Sequence, residues 1–187
     1  MAKSVAAKIG KGITPQQFMD GMEKNKDKFM EWYNQFSWKS EDDRKFFESL
    51  RDRNLRCLIL MADWCGDVVR NIPVVFRALE NSGVPVDVLI MEQHLDTMDE
   101  FLTMGGRAVP IVIFADGSGN VLGQWGPRPK HVQAIMIEFK QNNPDREAPD
   151  YNDKIQVARQ EMLKQYGEGT GYHDVIVKEL RELLASF

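Results

Sequence analysis

The sequence contains few cysteines and few histidines, which excludes several kinds of site. Cys57 and Cys65 are the only cysteines among 187 residues, too few for a disulfide framework. Eight positions separate them along a stretch predicted to be extended, which puts them more than about 20 Å apart and prevents a bridge within that strand. The three histidines are widely separated and show no ligand spacing around either cysteine. We therefore expect no zinc site and no metal cofactor.

Two further absences concern partners and location. The formal net charge is −4, so the chain lacks the basic excess that nucleic-acid binding normally needs. No apolar run approaches the length of a membrane span, and residues 1–14 contain no continuous apolar signal core. The glycines at 117 and 119 belong to a turn rather than to a phosphate-binding loop. We expect a cytoplasmic protein with no nucleic-acid partner, no membrane association and no cofactor.

Apolar residues at strand or helix spacing define most of the predicted elements. A long helix is predicted over 15–36, with Thr14 as its cap and Pro15 in its first turn, and a second helix begins near Ser40. The predicted strands are 55–61, 84–91, 111–115 and 121–125. The other predicted helices are 66–82, 96–104 (ended by Gly105 and Gly106), one that opens at Pro129, 151–166 and 172–186.

The order of these elements predicts the architecture. Between residues 55 and 141 it is β-α-β-α-β-β-α, which implies one parallel strand pair joined by a crossover and one antiparallel hairpin. The expected fold class is α/β, with a central mixed sheet and flanking helices. We expect three parts: an N-terminal helical extension over 1–54, a core over 55–141 and a C-terminal helical extension over 142–187.

The motif Trp64-Cys65-Gly66-Asp67 places a thiol at the corner between the first strand and the helix that follows it. The exposed N–H groups and dipole at a helix N-terminus favour a thiolate by about 0.3–1 kcal/mol. The carboxylates of Asp63 and Asp67 oppose this effect by a comparable amount, so the sequence leaves the direction of the Cys65 pKa shift open.

Four features at matching positions resemble the thioredoxin family: the Trp-Cys-Gly start of the motif, Pro73 in the following helix, Val109-Pro110 before the third strand, and Gly126 after the last strand. The sequence also resembles a thioredoxin-like branch with W-C-G-D-C, G-G-R-x-x-P and W-G-P-R-P motifs. The last two are present as residues 105–110 and 125–129. The resemblance implies a thioredoxin-like fold over 55–141 and a cis peptide bond at Val109-Pro110.

The chain departs from the family at two positions. Val68 replaces the second active-site cysteine, and Ile59 replaces the buried aspartate that serves the resolving thiol. Cys57 lies behind the corner and is not a suitable substitute. The resemblance therefore implies one-cysteine thiol–disulfide exchange, in which Cys65 forms a mixed disulfide that another thiol must resolve.

The resemblance also suggests roles for neighbouring residues. Trp64 would cover one side of the site with Gly66 and Asp67 beside it, and Val109-Pro110 would seat the backbone of the substrate. Arg107 and Arg128 would contact an acidic group such as a glutathione carboxylate, with solvent exposure or a structural ion pair as the alternative. The substrate would be a protein disulfide or a glutathione mixed disulfide.

Other interpretations stay open at this point. The chain could be a redox-inactive binding or scaffold protein on a thioredoxin fold, with its terminal helices as the interface. A smaller possibility is an iron–sulfur cluster held with glutathione, as in one-cysteine glutaredoxins. The sequence does not predict the oligomeric state.

Overall fold

The computed structural model describes residues 2–187; Met1, the first residue of the predicted N-terminal extension, lies outside them. Four strands and eight α-helices follow in the order α1 (Pro15–Gly21), α2 (Lys26–Gln35), α3 (Glu41–Glu48), β1 (Leu55–Met61), α4 (Gly66–Leu79), β2 (Val86–Ile90), α5 (Leu95–Met98), β3 (Ile111–Asp116), β4 (Val121–Trp125), α6 (Lys130–Asn142), α7 (Tyr151–Tyr166) and α8 (Gly171–Ala185).

The strands form one mixed sheet in the order β2-β1-β3-β4. β1 pairs with β2 in parallel and with β3 antiparallel, and β4 closes the antiparallel hairpin with β3. Residues 57–61 of β1 are completely buried, as expected for a central strand covered on both faces. The predicted α/β thioredoxin-like fold with a mixed sheet is confirmed.

The predicted long helix over 15–36 is wrong in one respect, because the chain forms two helices there. α1 ends at Gly21 and α2 begins at Lys26, with Asn25 between them in the left-handed region at φ 61°. The Asp63 carboxylate accepts hydrogen bonds from the backbone N–H groups of Glu23 and Lys24, each at 3.0 Å. The Asn25 side chain donates to the Asp63 carbonyl at 2.8 Å. These three bonds fix the break against the corner that carries Cys65.

The predicted helix over 96–104 is wrong in its extent, since α5 ends at Met98 and a tight turn follows. Thr103 and Gly106 exchange two backbone hydrogen bonds around Met104 and Gly105, which both have positive φ angles of 50° and 77°. Two consecutive residues at positive φ are typical of a type I′ hairpin turn. The glycines therefore form a turn of their own and do not end the helix.

The terminal helices and the sheet share one hydrophobic core. Its buried members include Phe29 from α2, Phe114 from β3 and Leu180 from α8. α2 and α8 both pack against α4, and α7 packs against α6. No helix within residues 2–187 has the length and apolarity needed to cross a membrane.

An aromatic cluster joins α2 to α8. The ring of His173 contacts those of Trp32, Phe36 and Tyr172 at centroid distances of 5.8, 6.2 and 4.6 Å. His173 is only 2% exposed, and within residues 2–187 neither of its ring nitrogens has a hydrogen-bond partner. Burial, with smaller effects of nearby cationic side chains, lowers the pKa of His173 to about 4.

Candidate functional site

Cys65 is the residue immediately before the first turn of α4. Its carbonyl accepts the N–H of Val69 at 3.1 Å, and its own N–H donates to the Ala62 carbonyl at 3.3 Å. The backbone N–H groups of Asp67 and Val68, in the first turn of α4, act to lower the pKa of the Cys65 thiol, as the strand-to-helix corner predicts. The corner thus places a partly buried thiol at the N-terminus of α4.

The other side of the thiol faces the loop before β3. Cys65 Sγ donates to the Val109 carbonyl oxygen at 3.3 Å, and the Val109–Pro110 peptide bond is cis. Gly126 lies behind this loop at φ 115°, where a Cβ atom would come within 2.3 Å of the Pro110 carbonyl oxygen. Only glycine fits at that position, so Gly126 allows the chain after β4 to support the loop that contacts the thiol.

The direction of the Cys65 pKa, which the sequence left open, is upward. Burial is the largest cause and the charge of Asp67 adds to it, whereas the N–H groups of Val68 and Asp67 and the charge of Arg128 act in the opposite direction. The helix N-terminus therefore does not outweigh desolvation, and the thiol form of Cys65 dominates at neutral pH.

Asp67 links the thiol corner to two residues of the C-terminal half of the chain, Arg128 before α6 and Tyr166 at the end of α7. Its Oδ2 accepts from the Arg128 guanidinium at 2.9 Å, and its Oδ1 accepts from the Tyr166 hydroxyl at 2.9 Å. Arg128 also donates to Gln133 at 2.8 Å, and the side chain of Asn71 donates to the Tyr166 oxygen at 2.8 Å. Through these bonds the end of α7 is attached to the first turn of α4.

The second predicted arginine lies in a different environment. Arg107 forms a two-pronged ion pair with Asp99, at 2.7 and 3.0 Å, and both side chains are about half exposed. Arg107 and Arg128 thus each have a carboxylate partner, as the structural ion-pair alternative requires. An acidic substrate group would have to share or displace that partner.

Trp64 is 49% exposed beside the thiol, and its position is fixed by a hydrogen bond from Nε1 to Glu92 Oε1 at 2.6 Å. Its ring forms one wall of a cleft of about 380 Å³ between the corner and α1. Gly66 is exposed, with open space where a side chain would be. Both neighbours of Cys65 in the chain, Trp64 and Gly66, are therefore exposed.

The residues that would complete a dithiol cycle are replaced by buried apolar side chains. Val68 and Ile59 are both fully buried, and Ile59 is paired with Val88 and Val112 in the sheet. Cys57 is likewise fully buried, and burial raises its pKa far above the ordinary value. Within residues 2–187, Cys65 therefore has no second reactive thiol, and no carboxylate occupies position 59.

Three residues of the site could not be singled out from the sequence. Glu92 fixes Trp64, Tyr166 binds Asp67 across 99 positions, and the Asp63 carboxylate holds the break between α1 and α2. Asp63 was visible only as a flanking charge, and no local pattern marks the other two. In the part of the chain that the structure describes, no group of three or more His, Cys, Asp or Glu side chains could hold a metal ion.

Comparisons with known proteins agree with the fold. The chain is similar to the crystal structure of an HIV epitope-scaffold, with a TM-score of 0.68, 15% sequence identity and 99% of each chain covered. It is also similar to the crystal structure of a protein of unknown function from Pseudomonas aeruginosa, with a TM-score of 0.55, 15% identity, and 100% of this chain and 93% of that chain covered. Similarity at this identity shows the fold alone, and no curated protein matches the chain. A family model described as thioredoxin matches residues 12–141, more than half of the sequence. The chain belongs to the thioredoxin family.

Proposed function

We propose that this protein performs one-cysteine thiol–disulfide exchange, with Cys65 as the nucleophile and a protein disulfide or a glutathione mixed disulfide as the substrate. The observation that carries the proposal is the 3.3 Å contact between Cys65 Sγ and the Val109 carbonyl. It sets the thiol against the loop whose backbone would receive an extended substrate, and Trp64 beside the thiol is 49% exposed.

The proposed reaction has two balanced steps. The Cys65 thiolate attacks one sulfur of the substrate disulfide, a new Cys65–sulfur bond forms, and the other substrate sulfur leaves as a thiolate that takes up a proton. An external thiol such as glutathione then attacks the mixed disulfide and returns Cys65 to its thiolate. With glutathione bound to Cys65, the second step releases oxidised glutathione. The second thiol is external because Val68 offers none and Cys57 is buried.

The proposal includes a pH dependence and a compartment. Because burial raises the Cys65 pKa, the rate of exchange should still be rising with pH above neutrality. The reaction needs reduced thiols as co-reactants, and both cysteines of the chain are free. We place it in a reducing compartment, the cytoplasm, as the sequence analysis expects.

A redox-inactive binding role is the second candidate, and the raised pKa of Cys65 is the observation that favours it. In that role the same loop and exposed indole would bind an extended peptide without covalent chemistry. The thiol contact to Val109 would then be structural.

The test incubates the protein with oxidised glutathione and locates any adduct of 305 mass units, expected as about one glutathionyl group per chain, by mass spectrometry of the peptides. Turnover is then measured as reduction of a glutathionylated peptide by glutathione. Cys65→Ser should abolish both signals. Cys57→Ser is the matched control and should retain them, since that thiol is fully buried.

Equal turnover by the Cys65→Ser variant would reject the exchange proposal. Peptide binding that is unchanged in this variant, together with no adduct on the unmodified protein, would instead support the binding role.

A further inference from the structure

The cleft beside Trp64 has an apolar floor and a polar rim. Its floor consists of the buried side chains of Phe18, Met22 and Ala62, while the exposed Glu23 and Glu92 stand at its rim. At about 380 Å³ it lies at the lower end of the range for small-ligand sites, roughly 300–1,000 Å³. An apolar floor under a polar rim fits a side chain with an apolar stem and a polar head.

The charge of the rim has one sign. Three lining residues carry carboxylates, Glu23, Asp63 and Glu92, and none of the described residues that line the cleft is a lysine or an arginine. Asp63 Oδ2 already accepts two backbone N–H groups, whereas Glu23 and Glu92 are exposed. A cationic head would therefore meet two carboxylates without displacing a basic side chain.

Trp64 adds a second feature that favours a cation. Its Nε1–H bond to Glu92 holds the indole in place, and half of the side chain is exposed. Indole is the aromatic ring with the strongest attraction for cations over its face. A fixed indole with a carboxylate at its edge offers both a ring face and a negative charge to an ammonium or guanidinium group.

The cleft adjoins the thiol site through Trp64, which lines the cleft. Trp64 precedes Cys65 in the chain, and neighbouring Cα atoms are only about 3.8 Å apart. The opposite wall comes from α1 and the residues around it, which lie in the N-terminal helical extension. The extension is held there by the bonds between the Asp63 carboxylate and the break after α1.

We propose that this cleft binds the lysine or arginine side chain of a peptide whose cysteine is exchanged at Cys65, so that the N-terminal extension selects basic substrates. The inference rests on the proposed exchange function, because it takes Cys65 as the reacting group. The stem of the side chain packs on the floor of the cleft, and its head lies between the rim carboxylates and the Trp64 ring.

The experiment uses glutathionylated peptides that differ only at the residues flanking the cysteine, which are lysine, norleucine or glutamate. At low salt, kcat/KM for the lysine peptide should exceed that for the glutamate peptide by about tenfold, the effect expected of one exposed cation site. The norleucine peptide should lie between them. The preference should shrink at high ionic strength, because the rim is exposed.

The variant Glu23→Gln/Glu92→Gln removes the rim charges and keeps an acceptor for the Trp64 N–H. It should lower the lysine-to-glutamate ratio to about two or less, on the same scale of effects. Glu147→Gln/Glu182→Gln changes the net charge equally at exposed residues outside the cleft and should keep the full ratio. Equal loss in both variants, or a norleucine peptide exchanged as fast as the lysine peptide, would overturn cation recognition in the cleft.

A binding measurement separates this inference from the exchange function. Cys65→Ser protein is titrated with the same peptides carrying serine in place of cysteine. No turnover by the unmodified protein, with tighter binding of the lysine peptide here, would reject the exchange function and support the cation site. Turnover without any charge preference, with equal binding of all three peptides, would reject the cation site and leave the exchange function standing.

Discussion

Replacement of Arg128 by methionine should destabilise the fold and raise the pKa of Cys65. The Arg128 and Asp67 side chains are 13% and 19% exposed, and the guanidinium is bound at 2.9 Å to Asp67 and at 2.8 Å to Gln133. Loss of one partner from a fully buried ion pair costs about 3–5 kcal/mol. Asp67 keeps the Tyr166 hydroxyl and some water, so we expect a loss of about 2–3 kcal/mol in the free energy of unfolding.

Urea denaturation and thermal unfolding measure this loss. For a chain of this size a loss of 1 kcal/mol lowers Tm by about 2–4 °C, so Tm should fall by about 4–12 °C. Arg107→Met is the matched control, because it breaks an Arg–Asp pair of similar geometry that is half exposed. That variant should be much less destabilised, since exposed pairs contribute little.

The pKa of Cys65 provides a second and independent readout. The positive charge of Arg128 lowers this pKa and the negative charge of Asp67 raises it. Arg128→Met should therefore shift the pH profile of Cys65 alkylation upward, and Asp67→Asn should shift it downward although both variants are destabilised. Shifts in the same direction, or an Arg128→Met variant as stable as the unmodified protein, would refute the inferred coupling between this ion pair and the thiol.

Three other substitutions test separate parts of the structure. The pKa of His173 falls from 6.5 to about 4 on folding, so the unfolded chain binds more protons between these two pH values. The free energy of unfolding should therefore fall by up to about 3 kcal/mol as the pH drops from 6.5 to about 4. In His173→Leu the urea midpoint of unfolding should depend less on pH over this range, and an unchanged dependence would contradict this. Val68→Cys would supply a second thiol that can attack the mixed disulfide on Cys65. Glutathione adducts of this variant should then decay without added thiol in a mass-spectrometric time course. Adducts that persist would contradict the inferred position of residue 68 beside Cys65. Gly126→Ala would place a methyl group 2.3 Å from the Pro110 carbonyl oxygen, at a residue whose φ is positive. The free energy of unfolding, measured by urea denaturation, should fall by at least about 2 kcal/mol. An unchanged stability would contradict the close contact.

Local patterns were sufficient to predict the sheet and the thiol corner. The apolar run 55–61 and the glycine-rich turn before β4 fix the strands, because burial on both faces and turn geometry depend on nearby residues. The break between α1 and α2 could not be predicted in this way. It is set by Asp63, about 40 positions further along the chain, and its residues otherwise continue a helical apolar pattern.

The partners of the charged site residues were the least predictable feature. The sequence showed that Arg107 and Arg128 could be ion-paired, but not that one pair would be exposed and the other largely buried. Tyr166 belongs to a helix predicted in the correct place, yet its bond to Asp67 spans 99 positions and depends on how α7 packs. Contacts between residues so far apart in the chain follow from the tertiary arrangement, and no periodic pattern in the sequence predicts them.

The two apolar replacements at the centre of the fold are energetically consistent with each other. A carboxylate at position 59 would lie unpaired between Val88 and Val112, and burying such a charge costs several kcal/mol unless it has partners. Ile59 instead contributes roughly 1.5–3 kcal/mol by burial of its side chain. Since Val68 offers no thiol for such a carboxylate to deprotonate, an acid at position 59 would lower the stability of the fold without serving any reaction. Any exchange begun at Cys65 must then be completed by a thiol from outside the chain, because the other cysteine, Cys57, is sealed within β1.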